Sequence, residues 1–205
     1  MSRTSRSAES RTPRADTSPL LRIIPLGGVG EIGKNMYVFE YGDDIVVIDC
    51  GLMFPDEEMF GIDIVIPDVT YLKENRKKVR AFLITHAHED HVGALPYVLP
   101  EFPDVPVYAS TLARGLLGNK LKEHRLKSNP ILPLDPGDEL QLGPFGVVPF
   151  RIGHSIPDAM GIALRTPVGT VVHTGDFKFD HTPVDGKLSD FAILAKLGAE
   201  GVVCL

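Results

Sequence analysis

The chain has 205 residues and is 43% hydrophobic, so it can bury one sizeable core and form one domain or most of one. Its formal net charge of −6 is not that of a typical nucleic-acid binder, and its two cysteines imply no disulfide framework. No run approaches the roughly 18 apolar residues of a membrane span, and the N-terminus lacks a signal-peptide core, so we expect a cytoplasmic protein.

The N-terminal segment differs in composition from the rest of the chain. Met1 to Pro19 is rich in Ser, Thr and Arg and contains no aromatic or branched aliphatic residue. Such a segment cannot bury enough surface to offset the entropy of ordering. We therefore predict an Arg/Ser-rich disordered arm over residues 1–20 and a folded domain over residues 21–205. Both a weak RNA tether and an extension without a role fit this arm.

A glycine-rich stretch follows the first predicted strand, Leu21 to Leu26. It contains Gly-x-Gly-x-x-Gly, and Asp49 comes nineteen residues after Gly30, as in a dinucleotide-binding fingerprint. That fingerprint requires a helix after the third glycine, with its N-terminus at the pyrophosphate. Here residues 35–40 and 45–48 instead read as two strands joined by a turn. The pattern therefore favours a hairpin and argues against a nicotinamide cofactor.

The most informative stretch runs from Thr85 to His91 and directly follows the apolar run Ala81 to Ile84. It holds three histidines and two carboxylates, a ligand set that suits zinc. Two of the histidines, His86 and His88, are two residues apart, so an extended backbone points both to one side. The next ligands lie at the entry to a helix predicted over residues 92–99, which would allow the ligands to serve two metals. A polar surface loop is the alternative.

Other strand ends offer further polar side chains. His154 and Asp176 each follow an apolar strand, and we predict that both complete the metal site; His173 and His181 are not assigned to it. Asp49 ends the strand 45–48, where it either orients the histidine loop or simply caps a turn. The remaining predicted elements are helices over 69–78, 111–127 and 187–197, strands over 105–109 and from 201, and a strand-and-turn region over 131–174.

The residues His86-x-His88-x-Asp90-His91 resemble the signature of the metallo-beta-lactamase superfamily. Four further segments make the chain similar to the N-terminal part of the ribonuclease J family, which belongs to the beta-CASP group. The resemblance implies an α/β fold, the αββα sandwich of the superfamily, incomplete because the beta-CASP insertion and the C-terminal remainder are absent. The segments are Pro25–Met36, Asp49–Asp56, Gly153–Asp158 and His173–Lys178.

The resemblance also implies a ligand set. In it, one zinc is held by His86, His88 and His154. A second is held by Asp90 and His91, and Asp176 bridges the two. Asp49 matches an aspartate that supports the loop. The carboxylates that the resemblance implies to be catalytic are Asp49, Asp90 and Asp176. Two Zn²⁺ per full-length chain are expected, with Mn²⁺ or Mg²⁺ as alternatives.

The implied substrate is single-stranded RNA, cut endonucleolytically or trimmed 5′ to 3′ during RNA processing and decay. The resemblance implies a homodimer or homotetramer for the full-length protein, possible partners in an RNA-decay complex, and no membrane. It places the last metal histidine and the 5′-phosphate pocket downstream, so we expect these 205 residues alone to be weakly active or inactive. The competing functions are a small-molecule hydrolase of thioesterase type and a metal-dead RNA-binding paralogue.

Overall fold

The computed structural model describes residues 19–126 and 129–205. The arm predicted over residues 1–20 lies, up to residue 18, outside the described residues, and its predicted disorder stays a prediction. In the part of the chain that is described, no helix has the length and apolar character needed to cross a membrane.

Eleven strands and five α-helices make up the described part of the chain. The strands are β1 (Leu21–Gly27), β2 (Met36–Tyr41), β3 (Asp44–Ile48), β4 (Val79–Leu83), β5 (Val107–Ala109), β6 (Ile131–Pro133), β7 (Leu140–Leu142), β8 (Phe145–Arg151), β9 (Met160–Thr166), β10 (Gly169–His173) and β11 (Val202–Cys204). The helices are α1 (Thr70–Glu74), α2 (Glu89–Val92), α3 (Leu95–Val98), α4 (Thr111–Glu123) and α5 (Phe191–Glu200). Two 3₁₀ turns, Arg76–Lys78 and Leu99–Glu101, follow α1 and α3.

The strands form two sheets. The first has the order β1-β2-β3-β4-β5-β6, antiparallel from β1 to β3 and parallel from β3 to β6. The hairpin predicted after the glycine-rich stretch is confirmed, because β2 pairs antiparallel with β3 across a tight turn at Gly42 (φ +62°). The second sheet has the order β11-β10-β9-β8-β7, antiparallel except between β10 and β11.

The two sheets face each other and helices cover both outer faces. Strands β3 and β4 are buried on both faces, and alternate residues therefore point to different cores. Val47 and Phe82 pack with α1, α3 and α4 on one side, whereas Val46 and Leu83 pack against the second sheet. Leu197 of α5 lies against the far face of that sheet. This confirms the αββα sandwich.

The helix predicted over residues 92–99 begins earlier and is interrupted. It starts at Glu89, so Asp90 and His91 lie within α2 rather than before it. The interruption arises because the backbone N–H of Ala94 donates to the carbonyl of Cys50, 3.0 Å away, instead of continuing α2. Pro96, which has no N–H, then lies in the first turn of α3.

The other predicted helices differ only at their ends. The first is α1 followed by a 3₁₀ turn, and α4 ends at Glu123, while Lys127 lies outside the described residues. The last helix begins at Phe191 rather than 187, because the Asp190 carboxylate caps it by accepting a hydrogen bond from the Ile193 N–H at 3.0 Å.

Gly51 is required where the loop after β3 crosses α2. A Cβ at this position would overlap the Asp90 carbonyl carbon and oxygen. We expect Gly51→Ala to lower the free energy of unfolding by about 2–3 kcal/mol because the backbone must shift to relieve the overlap. Chemical denaturation measures this. Gly115→Ala is the control: it lies in α4 with open space around it and should stabilise the protein by up to ~1 kcal/mol. Equal effects of the two substitutions would contradict the prediction.

Candidate metal centre

Four strand ends meet at one edge of the sandwich. Asp49 follows β3 and the histidine loop follows β4, and these parallel neighbours deliver both to the same edge of the first sheet. His154 follows β8 and Asp176 follows β10 in the second sheet. The sheets are joined at this edge by a hydrogen bond of 3.0 Å from the backbone N–H of Met160 to the carbonyl of Thr85. The fold therefore gathers the predicted site residues from both sheets.

The first cluster consists of three histidines. The Nε2 atoms of His86 and His154 each lie 3.1 Å from Nδ1 of His88. Burial lowers the pKa of His86 to about 3, helped by the nearby charge of His91, and burial also lowers the pKa of His154. The His86 and His154 imidazoles are therefore neutral at pH 7. Converging imidazole nitrogens with free lone pairs fit a divalent cation such as zinc.

The second cluster joins a histidine to two carboxylates. Nε2 of His91 lies 3.4 Å from Oδ1 of Asp176 and 3.6 Å from Oδ2 of Asp90. The other oxygen of Asp176, Oδ2, lies 3.7 Å from Nε2 of His154. Asp176 thus faces both clusters, as a bridging ligand must. One ligand atom each from His86, His91 and Asp176 also lie within 4.8 Å of one another, so His86 borders both clusters as well.

Asp49 is the fully buried carboxylate behind both clusters. It accepts hydrogen bonds from the backbone N–H and the hydroxyl of Thr85, both at 2.8 Å, and from Nδ1 of His91 at 2.7 Å. Its φ of +62° is a conformation that aspartate tolerates better than most residues. Because Nδ1 of His91 is taken up by Asp49, its Nε2 is the nitrogen presented to Asp90 and Asp176.

Thr85 has a role that the sequence did not reveal. Its hydroxyl has one proton, which it donates to Asp49, so it can only accept a hydrogen bond from Nδ1 of His86 at 3.0 Å. This fixes the His86 tautomer with Nε2 free toward His88. The sequence signal was only a hydroxyl at the start of a polar run, which does not distinguish this role from a surface threonine.

Two further residues at the site were not assigned from the sequence. The side-chain amide of Asn35 donates to the Asp90 carbonyl at 3.1 Å. Nδ1 of His173 accepts a hydrogen bond of 3.1 Å from the Gly175 N–H, and its ring packs edge-on against Tyr37 with centroids 4.9 Å apart. His173 thereby holds the turn that carries Asp176. His181, also left out of the predicted site, stacks instead on Phe191.

The protonation of His91 links the two clusters electrostatically. Burial alone would lower its pKa, but the carboxylates of Asp49 and Asp176 outweigh burial and raise the pKa of His91 to about 10. Hydrogen bonding to His91 likewise lowers the pKa of Asp176 to about 2. At pH 7 the metal-free site therefore holds an imidazolium between two carboxylates. The nitrogen that carries this proton, Nε2 of His91, is the one that could hold a metal ion.

Comparison with known proteins places these features in a wider group. Residues 29–199 match the family model described as the metallo-beta-lactamase superfamily. The chain is 51% identical over 193 residues to ribonuclease J of Thermus thermophilus, covering 90% of this chain and 34% of that protein. It is 47% identical over 188 residues to ribonuclease J of Synechocystis, covering 90% of this chain and 29% of that protein. It is 45% identical over 184 residues to ribonuclease J 1 of Streptococcus pyogenes, covering 89% of this chain and 32% of that protein. The chain thus spans about a third of the length of these curated relatives.

Solved structures share the fold at low sequence identity. A protein of unknown function from Enterococcus faecalis superposes with a TM-score of 0.64 at 19% identity, covering 78% of this chain and 44% of that one. The metallo-beta-lactamase fold protein YhfI from Bacillus subtilis superposes with a TM-score of 0.57 at 17% identity, covering 80% of this chain and 65% of that one. At these identities the likeness concerns the fold alone.

The Thr85 hydroxyl provides a direct test of the first cluster. We expect Thr85→Val, which keeps the shape but removes the donor and acceptor, to weaken zinc binding by about ten- to a hundredfold. The reason is that His86 loses the partner that keeps its Nε2 free. Thr85→Ser retains the hydroxyl and should bind nearly as the unchanged protein. Competition with a chromophoric chelator measures the affinities; equal affinities for the Val and Ser variants would contradict the assignment.

Metal binding at His91 should release a proton. Because the pKa of His91 is raised to about 10, the ring is protonated at pH 7, and a cation at Nε2 must displace that proton. Zinc affinity at this cluster should therefore rise as the pH rises toward about 10. Calorimetric titrations at pH 7 in two buffers of different ionisation enthalpy should give about one proton released from this ring. His91→Asn should abolish that release; an undiminished release in this variant would assign the proton elsewhere.

Proposed function

The chain belongs to the metallo-beta-lactamase superfamily, and from this premise we propose that it is the N-terminal part of a metal-dependent ribonuclease that hydrolyses phosphodiester bonds of single-stranded RNA. The observation that carries the proposal is the pair of clusters that share Asp176. One carboxylate facing two separate sets of ligands is the arrangement expected of a two-metal hydrolase.

The ligand assignment follows the two clusters. His86, His88 and His154 would hold one ion. Asp90 and His91 would hold the other, and Asp176 would bridge them. The three histidines of the first cluster favour Zn²⁺, whereas Mn²⁺ or Mg²⁺ remains an alternative for the carboxylate-rich second cluster. When bound, such a pair of ions lowers the pKa of a shared water and neutralises developing charge on a phosphoryl oxygen.

The protein's own groups have distinct tasks in this scheme. In the metal-free site, hydrogen bonding to His91 lowers the pKa of Asp176 to about 2, so this carboxylate is already ionised when ions bind. A bridging carboxylate with both oxygens facing cations would be a poor proton acceptor. Proton transfer from the attacking water is therefore assigned to the carboxylate of Asp90, which lies at the outer side of the second cluster and is partly exposed. Asp49 is too deeply buried to touch a substrate and acts by orienting His91 and Thr85.

RNA is proposed as substrate because the relatives described above bear the name ribonuclease J. Both endonucleolytic cleavage and 5′ to 3′ trimming fit such an enzyme, as do action in the cytoplasm and assembly as a homodimer or homotetramer. Association with other RNA-decay proteins belongs to the same proposal. Since the chain spans about a third of its relatives' length, all of these concern the full-length protein.

The bridging carboxylate gives the decisive experiment. In the full-length protein, Asp176→Asn should lower the rate of cleavage of a 5′-labelled single-stranded RNA by at least about a hundredfold and reduce the bound metal per chain. The neutral amide cannot supply two anionic oxygens to two ions. Single-turnover kinetics and elemental analysis provide the two measurements.

A matched control comes from the opposite edge of the first sheet. Asp104→Asn makes the same chemical change at an exposed turn between α3 and β5 and should leave both cleavage and metal content unchanged. Full activity and full metal content in Asp176→Asn would refute the bridging assignment. Hydrolysis of a thioester or a lactam by the unchanged protein, with no cleavage of RNA, would instead indicate a small-molecule hydrolase.

A further inference from the structure

The glycine-rich stretch before β2 has no part in the scheme above, yet it ends at the second metal cluster. Its last residue before the strand is Asn35. The side-chain nitrogen Nδ2 of Asn35 lies 3.1 Å from the Asp90 carbonyl oxygen, 3.4 Å from Oδ2 of Asp90 and 3.2 Å from Nε2 of His91. The amide donates to the two Asp90 oxygens, whereas its approach to Nε2 of His91 is a packing contact, because in the metal-free site that nitrogen carries a proton and cannot accept.

The orientation of the Asn35 amide is fixed by chemistry. Two of its three neighbours, the carbonyl and carboxylate oxygens of Asp90, only accept hydrogen bonds when the carboxyl is ionised. The nitrogen must therefore point at them, because the reverse orientation would place the amide oxygen against two other oxygens. Its two N–H groups can be shared between the main chain and the carboxylate of Asp90. The remaining carboxylate oxygen, Oδ1, is left free.

Hydrogen bonds also hold the backbone of Asn35 in place. Its N–H donates to the Asp90 carbonyl at 3.0 Å, and its carbonyl accepts from the Gly51 N–H at 2.9 Å. On the other side, a Cβ added at Gly28 would overlap Oδ1 of Asn35, so only glycine lets the loop pack this closely. The glycine pattern that resembles a nucleotide fingerprint thus has a different physical use: it seats an asparagine beside the second cluster.

We propose that Asn35 is a positioning residue that presets the second metal cluster by holding the Asp90 carboxylate in place beside the ring of His91. It makes no hydrogen bond to His88 or His154 in the described chain, so its effect is confined to the second ion. This inference rests on the two-metal function proposed above and adds a residue through which occupancy of the second site is controlled.

The experiment measures the two metal-binding steps separately in the full-length protein. Asn35→Leu keeps the branching of the side chain and removes its donors, and Asn35→Ala removes both. We expect the second zinc equivalent to bind about ten- to a hundredfold more weakly in both variants, and the first to change by less than about twofold. Titration against a chromophoric chelator, with metal counted by elemental analysis, resolves the two equivalents.

Asn75→Ala is the matched control. Asn75 also donates its side-chain amide to a backbone carbonyl, that of Tyr71 at 2.9 Å, but it lies after α1, outside both clusters. Asn75→Ala should leave the affinities for the first and the second zinc unchanged. If Asn35 were merely structural, its variants would weaken both equivalents alike and lower the melting temperature of the metal-free protein in proportion.

A double-mutant cycle keeps the inference testable even if the Asn35 variants lose stability. If Asn35 acts through Asp90, Asn35→Leu should weaken the second equivalent far less in an Asp90→Ala background than in the unchanged protein. Fully additive losses would overturn the inference, as would unchanged binding of the second ion in both Asn35 variants. Uptake of no second ion by the unchanged protein would overturn the proposed two-metal function together with the inference.

Discussion

The site depends on one buried negative charge, the carboxylate of Asp49. A carboxylate removed from water is costly unless it is paired and hydrogen-bonded, and Asp49 receives hydrogen bonds from Thr85 and His91. Removing a partner of such a buried charge typically costs about 3–5 kcal/mol. The same bonds select the tautomer of His91 directly and that of His86 through Thr85. One charge therefore determines which nitrogen His86 and His91 each present, and it does so from behind the site without touching the reacting groups.

The proposed ligands are divided between the two sheets, and this division would couple metal binding to the packing of the sandwich. His86, His88 and His91 follow β4 in the first sheet, whereas His154 and Asp176 follow strands of the second. An ion held by both groups would tie the sheets together at the edge where the hydrogen bond from Met160 to Thr85 already joins them. Because a ligand that binds only the folded state stabilises it by mass action, the stability of this chain should depend on the free metal concentration.

The sequence predicted the elements whose signals are local. Short apolar runs in β2 to β4, separated by turn residues, predicted the hairpin and the buried sheet, and the crowded histidines after β4 marked the candidate ligands. The sequence did not predict the features that depend on contacts between distant backbone segments. The division of the helix after His88 depends on a bond from Ala94 to Cys50, and the role of Asn35 depends on the crossing of α2 by Gly51. Neither contact has a periodic signature. The role of Thr85 has no local signal for the same reason, since its partner Asp49 lies 36 residues earlier.

The sequence separation of the proposed ligands has a consequence for the order in which the molecule is made. His88 meets His154 across 66 residues, and Asp176 lies later still. As the chain leaves the ribosome, His86 to His91 are present well before the residues that complete either cluster, so neither cluster is complete until the second sheet has docked. Contacts this distant in sequence form late and slowly. In the folded, metal-free chain the proton on His91 serves as an internal counter-ion for Asp49, so folding can finish before a metal arrives.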